Sequence, residues 1–192
     1  MDYLEQSFRG EDVAIAYVYC SYKELEDQTD VNLIASLLQQ LAQRRSFISD
    51  DVSSLYYRHI EKRTRPTLGE WSKLLNSEVN RFSKVFIVID ALDECSESNG
   101  TRDSFLVEVR KLQPAVHLFV TSRHTGSIGR EFETVSRLEI YARDADVRKY
   151  LEHRIANEPQ LLRHTKKDPT LRETIINSLL EKAKGMYVTT SP

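Results

Sequence analysis

The run Lys84-Val85-Phe86-Ile87-Val88-Ile89-Asp90-Ala91-Leu92-Asp93-Glu94-Cys95 constrains the fold more than any other stretch. Five apolar residues of high strand propensity lead straight into three carboxylates. The apolar stretch is continuous rather than alternating. That fits a strand covered on both faces, as in the parallel sheet of an α/β protein. In such sheets ligands gather beyond the carboxyl ends of the strands, so Asp90, Asp93 and Glu94 stand where chemistry is done.

The rest of the chain alternates around this strand. Val13 to Cys20 is a second, nearly continuous apolar run and reads as a strand. Val31, Ile34, Leu37, Leu38 and Leu41 recur at helical spacing from Thr29 to about Arg44, with Thr29 or Asp30 as cap. A weaker helix runs from Ser49 to Glu61 on Val52, Leu55, Tyr56 and Ile60. Basic residues gather at its end, Arg58, Lys62, Arg63 and Arg65. They read as a solvated helix end, with a phosphate-binding patch as the sharper alternative. Thr67-Leu68-Gly69-Glu70 has the form of a capping box ahead of Trp71, Leu74, Leu75, Val79 and Phe82.

Thr101 or Asp103 begins a helix through Leu112, and Val116 to Thr121 is a third strand ending in Ser122-Arg123-His124. Gly126 and Gly129 mark a loop, and Val135 to Ile140 a short fourth strand. Asp144 caps one further helix, and Asp168-Pro169 opens another that Gly185 stops. At the N-terminus, Asp2 to Phe8 reads as the last turns of a helix that Gly10 stops. Alternation over residues 1–141 implies a mostly parallel sheet with right-handed crossovers.

Charge and cysteine usage narrow the function. The 192 residues carry a formal net charge of -2, which argues against a mainly electrostatic nucleic-acid or membrane role. No apolar run approaches the roughly 20 residues of a membrane span. The acidic start Met1-Asp2-Tyr3-Leu4-Glu5 lacks the form of a signal peptide. Cys20 and Cys95 lie far apart, have no zinc spacing and read as free thiols of a reducing compartment. The expected location is the cytoplasm.

A carboxylate at a strand end, such as Asp90, can hold a magnesium ion through its waters. A second within a few residues can orient and deprotonate an attacking water. Asp93 and Glu94 are the candidates, and the spacing does not divide the role between them. The plain alternative is that all three are capping or solvated turn acids. Arg123, just past the next strand, can reach a terminal phosphate. It can equally pair with Asp93 and Glu94 and bind nothing. His124 reads as a solvated loop histidine and His117 as a strand residue without a chemical role. A metal-dependent hydrolase built on the acids alone lacks further ligands at suitable spacing.

Ile89-Asp90-Ala91-Leu92-Asp93-Glu94-Cys95 resembles the Walker B segment of a NACHT-type domain, a signalling P-loop NTPase, in its fungal branch related to the nephrocystin-type proteins. Thr121-Ser122-Arg123 is similar to the sensor-arginine segment of that group. Ala16-Tyr17-Val18-Tyr19-Cys20-Ser21-Tyr22 and the helix carrying Leu37-Leu38-Gln39-Gln40-Leu41 resemble the segment that follows its phosphate loop. Lys182-Ala183-Lys184-Gly185-Met186-Tyr187 resembles the close of its core. The resemblance implies a partial P-loop NTPase-type parallel sheet over 1–142, a helical start of a lid over 143–187, and a tail over 188–192. The implied order of strands is 13–20, 85–90, 116–121, with the fourth farther along the sheet.

It also implies Mg2+ with ATP or GTP in an intact module, with Asp90 toward the metal, Asp93 and Glu94 as catalytic acids, and Arg123 toward the nucleotide. No Gly-x-x-x-x-Gly-Lys-Ser/Thr loop occurs in the 192 residues. The loop's amides and lysine supply most of the grip on the phosphates. The expectation is therefore a fragment of a nucleotide-dependent switch, neither binding the triphosphate tightly nor hydrolysing it alone. The alternative is a non-catalytic interaction fragment that docks on intact NACHT partners or on copies of itself.

Overall fold

The computed structural model describes residues 6–8, 12–123, 125–141, 143–183 and 187–191. It is an α/β structure with a parallel three-strand sheet, flanking helices and a run of C-terminal helices. Two compact units are present, one of Met1–Leu138 with Thr190–Pro192, the other Glu139–Thr189.

In the first unit, β1 (Val13–Tyr19) pairs with β2 (Lys84–Asp90), which pairs with β3 (Val116–Ser122), all parallel. This is the expected order. Register places Ala14, Ala16 and Val18 beside Val85, Ile87 and Ile89, and those beside Val116, Leu118 and Val120. These side chains share one core with Leu33, Ile34, Leu37, Leu38 and Leu41 of α1 (Asp30–Gln43). α3 (Leu68–Val79) adds Leu74, Leu75 and Val79, and α4 (Thr101–Arg110) adds Phe105, Leu106 and Val109.

The other sheet face is only partly covered, which corrects the expectation of a strand buried on both sides. Phe86 and Val88 are half-buried, while Tyr17, Tyr19 and Phe119 are exposed. Aromatic stacking provides some of the cover, since Phe86 lies 5.1 Å from the His117 ring and 5.2 Å from Phe8.

β1 is an edge of the three-strand sheet, and two glutamines occupy its outward backbone groups. Gln40 Oε1 accepts from the Tyr17 N–H at 3.0 Å and its Nε2 donates to the Tyr17 carbonyl at 2.8 Å. Gln28 does the same for the Ser21 N–H and the Tyr19 carbonyl, at 3.0 and 2.9 Å. Backbone groups left open at an edge invite pairing with another chain, and these side chains stand in for a neighbouring strand.

α2 (Asp50–Lys62) is capped by Ser49, and α3 by the capping box that the sequence predicts. The loop expected around Gly126 and Gly129 is instead a short helix, α5 (Gly126–Glu131), because Ile128 and Phe132 reach the core. The fourth strand, β4, is confined to Leu138–Tyr141.

In the second unit α6 (Asp144–Asn157), α7 (Pro159–Lys167) and α8 (Pro169–Ala183) succeed one another. The sequence reading misses α7, a short helix, although Pro159 in its first turn and a clear separation of its apolar and polar residues both mark it. Ile155 and Ile176 are buried, and Arg148 ties α6 to α8 through Glu173 at 3.1 Å. Asp168 caps α8, accepting from the Thr170 N–H at 2.9 Å. The expected tail contains a strand, β5 (Tyr187–Ser191). The predicted stops at Gly10 and Gly185, most of the predicted helix before Phe8, and His124 lie outside the described residues. Among the described residues, no helix is long and apolar enough to cross a membrane.

In the capping box the N–H and hydroxyl of Thr67 hold the Glu70 carboxyl well down, to about 2, with His59 adding to the effect. A carboxyl depressed from its ordinary value of 4.5 stabilises the fold above that pH. The contribution fades as pH falls toward 2. Glu70→Gln is therefore expected to lower the urea midpoint at pH 6. The gap to the parent should narrow steadily between pH 4.5 and pH 2.5. A gap independent of pH contradicts the assignment.

Candidate functional site

β2 delivers Asp90 to the carboxyl edge of the sheet because Val85, Ile87 and Ile89 are fully buried beneath it. Past Asp90 the chain turns through Ala91, whose φ of 53° lies in the left-handed region. That conformation costs a residue with a Cβ roughly 1–2 kcal/mol. It starts a single 3-10 turn, Leu92–Glu94, with Leu92 fully buried as its anchor. Asp93 and Glu94 are thereby folded back toward the end of β3.

Of the four residues singled out by sequence, Asp93, Glu94 and Arg123 are in contact there, and Asp90 is tied instead to Thr121. The Thr121 hydroxyl donates to Asp90 Oδ1 and accepts from the Ala91 N–H at 2.9 Å. Asp93 Oδ1 accepts from the Arg123 N–H at 2.9 Å, while Oδ2 lies 3.3 Å from Arg123 Nε. Arg123 Nη2 reaches Glu94 Oε1 at 3.2 Å, and Glu94 Oε2 accepts from the Tyr22 N–H at 3.3 Å. Arg123 is thus paired with both acids. Its side chain is 70% exposed, against 9% for Asp93.

A cleft of about 460 Å³ opens beside this cluster, and its lining includes Tyr22, Asp93, Glu94, Cys95, Arg102 and Arg123. Sequence reasoning missed Tyr22, Thr121 and Arg102. Thr121 comes into view with the parallel β2–β3 register, which pairs Ile89 with Val120 and so sets Thr121 beside Asp90. Arg102, in the first turn of α4, is 4% exposed. Its Nη2 lies 2.9 Å from Glu97 and 3.1 Å from Ser127 Oγ, and its Nε has no hydrogen-bond partner. Its location gives no periodic signal.

Cys20 and Cys95 are both free thiols, as expected, and both are buried. A hydrogen bond to Cys95, then burial, pushes the Cys20 thiol up from its ordinary value. The same bond, helped by the Arg102 guanidinium, holds Cys95 down. The Cys20 N–H donates to the Asp90 carbonyl at 3.0 Å, so β1 is paired to the last residue of β2.

Among the described residues, no group of three or more His, Cys, Asp or Glu side chains stands ready to hold a metal ion. A dedicated protein cage is therefore not what these residues provide. Magnesium differs in keeping its waters and taking one or two carboxylates plus phosphate oxygens. Asp90, whose Oδ1 accepts from the Thr121 hydroxyl, fits that more limited role.

The Nephrocystin 3, N-terminal family model matches residues 1–123. The chain belongs to this family. No curated protein and no solved structure matches it. The match to the Nephrocystin 3 N-terminal family takes in β1, β2 and β3, and with them Asp90, Asp93, Glu94 and Arg123.

The left-handed Ala91 and its hydrogen bond to Thr121 give opposite predictions for two substitutions. Ala91→Gly relieves the backbone and is expected to be neutral or stabilising by up to about 1 kcal/mol. Thr121→Val leaves the half-buried Ala91 N–H unpaired and is expected to cost about 1–3 kcal/mol, with Thr121→Ser losing much less. Equilibrium urea unfolding measures all three. A marked loss of stability in Ala91→Gly contradicts the strained turn.

Proposed function

We propose that this chain is part of a nucleotide-dependent switch of the NACHT type, with its working edge at the carboxyl ends of β2 and β3. One observation supports the reading above all others. Asp93, Glu94 and Arg123, 30 residues apart in sequence, are gathered over a cleft at the carboxyl edge of the sheet, and Asp90, the last residue of β2, is held beside them by Thr121. Parallel sheets bind their ligands at this edge.

In this reading Asp90 holds the waters of a magnesium ion, kept in place by the Thr121 hydroxyl. Magnesium, when bound with a triphosphate, neutralises charge on the phosphate oxygens. Asp93 and Glu94 orient the attacking water and take its proton. Arg123 leaves the two acids for the terminal phosphate, so its pairing differs with and without nucleotide. The phosphates also need amide donors and a lysine, and the 192 residues contain no Gly-x-x-x-x-Gly-Lys-Ser/Thr. Three carboxylates without that cradle repel a triphosphate.

A second reading, a non-catalytic module that docks on intact partners, is favoured by the exposed Tyr17, Tyr19 and Phe119 on the open sheet face. Calorimetric titration with ATP and GTP in excess magnesium, alongside a phosphate-release assay, separates the two. The 192-residue chain is expected to show neither micromolar binding nor turnover. Joined to a preceding phosphate loop it is expected to bind. Glu94→Gln in that longer protein should then slow hydrolysis more than binding. Failure to bind after the loop is supplied favours the docking reading. Turnover by the 192 residues alone, abolished by Asp90→Asn, contradicts the dependence on a supplied loop.

A further inference from the structure

Away from the sheet edge, α2 rests on α3 with only one of its residues, Leu55, buried. Polar contacts brace the helix at both ends. At its start Ser49 donates to Glu78, and Ser77 donates to Asp51 at 2.6 Å. At its end Arg58 and His59 reach Glu70 at 3.0 and 3.2 Å. Between these braces an apolar groove of about 520 Å³ is left open, with Val52, Leu55, Tyr56, Ile60, Trp71 and Leu74 in its lining. Its volume lies in the range that takes a small ligand or the anchor side chains of a partner.

The apolar surface continues beyond the groove. Tyr56 is 60% and Ile60 55% exposed, one helical turn apart on the same face of α2. Tyr57 beside them is also exposed and meets the Tyr56 ring edge-on at 5.5 Å. Exposed aromatic and branched side chains beside a well-formed pocket are the makings of an interface core.

The rim is basic. Of the eight residues from Arg58 to Arg65, four are Arg or Lys and one, Glu61, is acidic, in a chain whose net charge is -2. Arg58 is occupied by Glu70. Lys62, Arg63 and Arg65 are exposed. Arg63 also borders the groove. Lys62 and Arg65 flank it in sequence, and cations next to an apolar pocket select a partner of opposite charge and speed its encounter.

We infer that the groove between α2 and α3 is a docking site for an acidic segment of a partner protein, anchored by a bulky apolar side chain with carboxylates facing Lys62, Arg63 and Arg65. The apolar pocket supplies the anchor site and the cations supply register and sign. Such a site is independent of the nucleotide reading, since none of its residues belongs to the sheet edge.

Random dodecapeptides displayed on phage and selected against the immobilised 192-residue chain test this directly. Peptides that combine Phe, Trp or Leu with several Asp or Glu are expected to be enriched. Trp71 is the only tryptophan of the chain, so synthetic tryptophan-free versions should shift its emission on titration. Affinity should fall at least about tenfold in Ile60→Ser, and at least about tenfold in the Lys62→Glu, Arg65→Glu double variant. It should also weaken as salt rises from about 50 to 300 mM. Circular dichroism verifies that each variant is folded, and Tyr56→Ser replaces Ile60→Ser should the latter not fold. Selection that yields no binders, or binders without acidic residues, overturns the proposal. So does binding indifferent to these variants, or binding to phosphatidylserine vesicles or single-stranded RNA tighter than to any selected peptide.

Discussion

β2 is hydrogen-bonded on both sides, to β1 and to β3, and its three alternate side chains Val85, Ile87 and Ile89 are removed from water altogether. Burying each contributes on the order of 1.5–3 kcal/mol. A strand fixed this firmly has a definite last residue, Asp90, and the path by which the chain leaves the sheet sets the rest of the edge. Ala91 reverses it in a left-handed conformation, Leu92 plugs back into the core, and Asp93 and Glu94 are left facing the exit of β3. The acids lie close to Arg123 because of packing beneath them, rather than because of their own attraction across an exposed site. Ion pairs with a partner as exposed as Arg123 contribute little by themselves.

The fold was largely legible in the sequence where the apolar runs were long. Val13–Cys20, Lys84–Asp90 and Val116–Thr121 each announce a strand, and the Thr67 capping box announces α3. Legibility failed where the signal is short or tertiary. A six-residue helix at Gly126–Glu131 looks like a glycine-marked loop until Ile128 and Phe132 find the core. The glutamines that seal the β1 edge are ordinary polar residues on a helix and a loop, and only strand position gives them a task. Residue type and strand-end position sufficed to place Asp90, Asp93, Glu94 and Arg123 at the carboxyl end of the sheet. Thr121 required the register between β2 and β3, and Tyr22 and Arg102 required the tertiary fold, neither of which sequence periodicity encodes.

The first unit presents two surfaces of different character. The sheet edge is a cluster of paired charges whose members hold one another in place, while the α2–α3 groove is apolar with Arg63 at its border. Their energetics differ accordingly. Change at the edge requires a ligand that competes for Arg123, and the exposure of that side chain keeps such competition cheap. Occupation of the groove draws on apolar area leaving water and, in the proposal above, on the charge of the cations beside it. Membership in the Nephrocystin 3 N-terminal family covers both surfaces, since the match runs from residue 1 to residue 123.

The most direct measurement of the edge is native-state hydrogen exchange at two amides that lie outside regular strand pairing, Ala91 and Arg123. Both donate at 2.9 Å, one to the Thr121 hydroxyl and the other to the Asp93 carboxylate. In the parent protein each is expected to exchange at least about tenfold more slowly than the amides of the exposed turn at Glu97 and Ser98. Asp93→Ala should release Arg123 while leaving Ala91 protected. An Arg123 amide that exchanges as fast as that turn in the parent, or whose protection survives Asp93→Ala, contradicts the packed edge on which the functional reading stands.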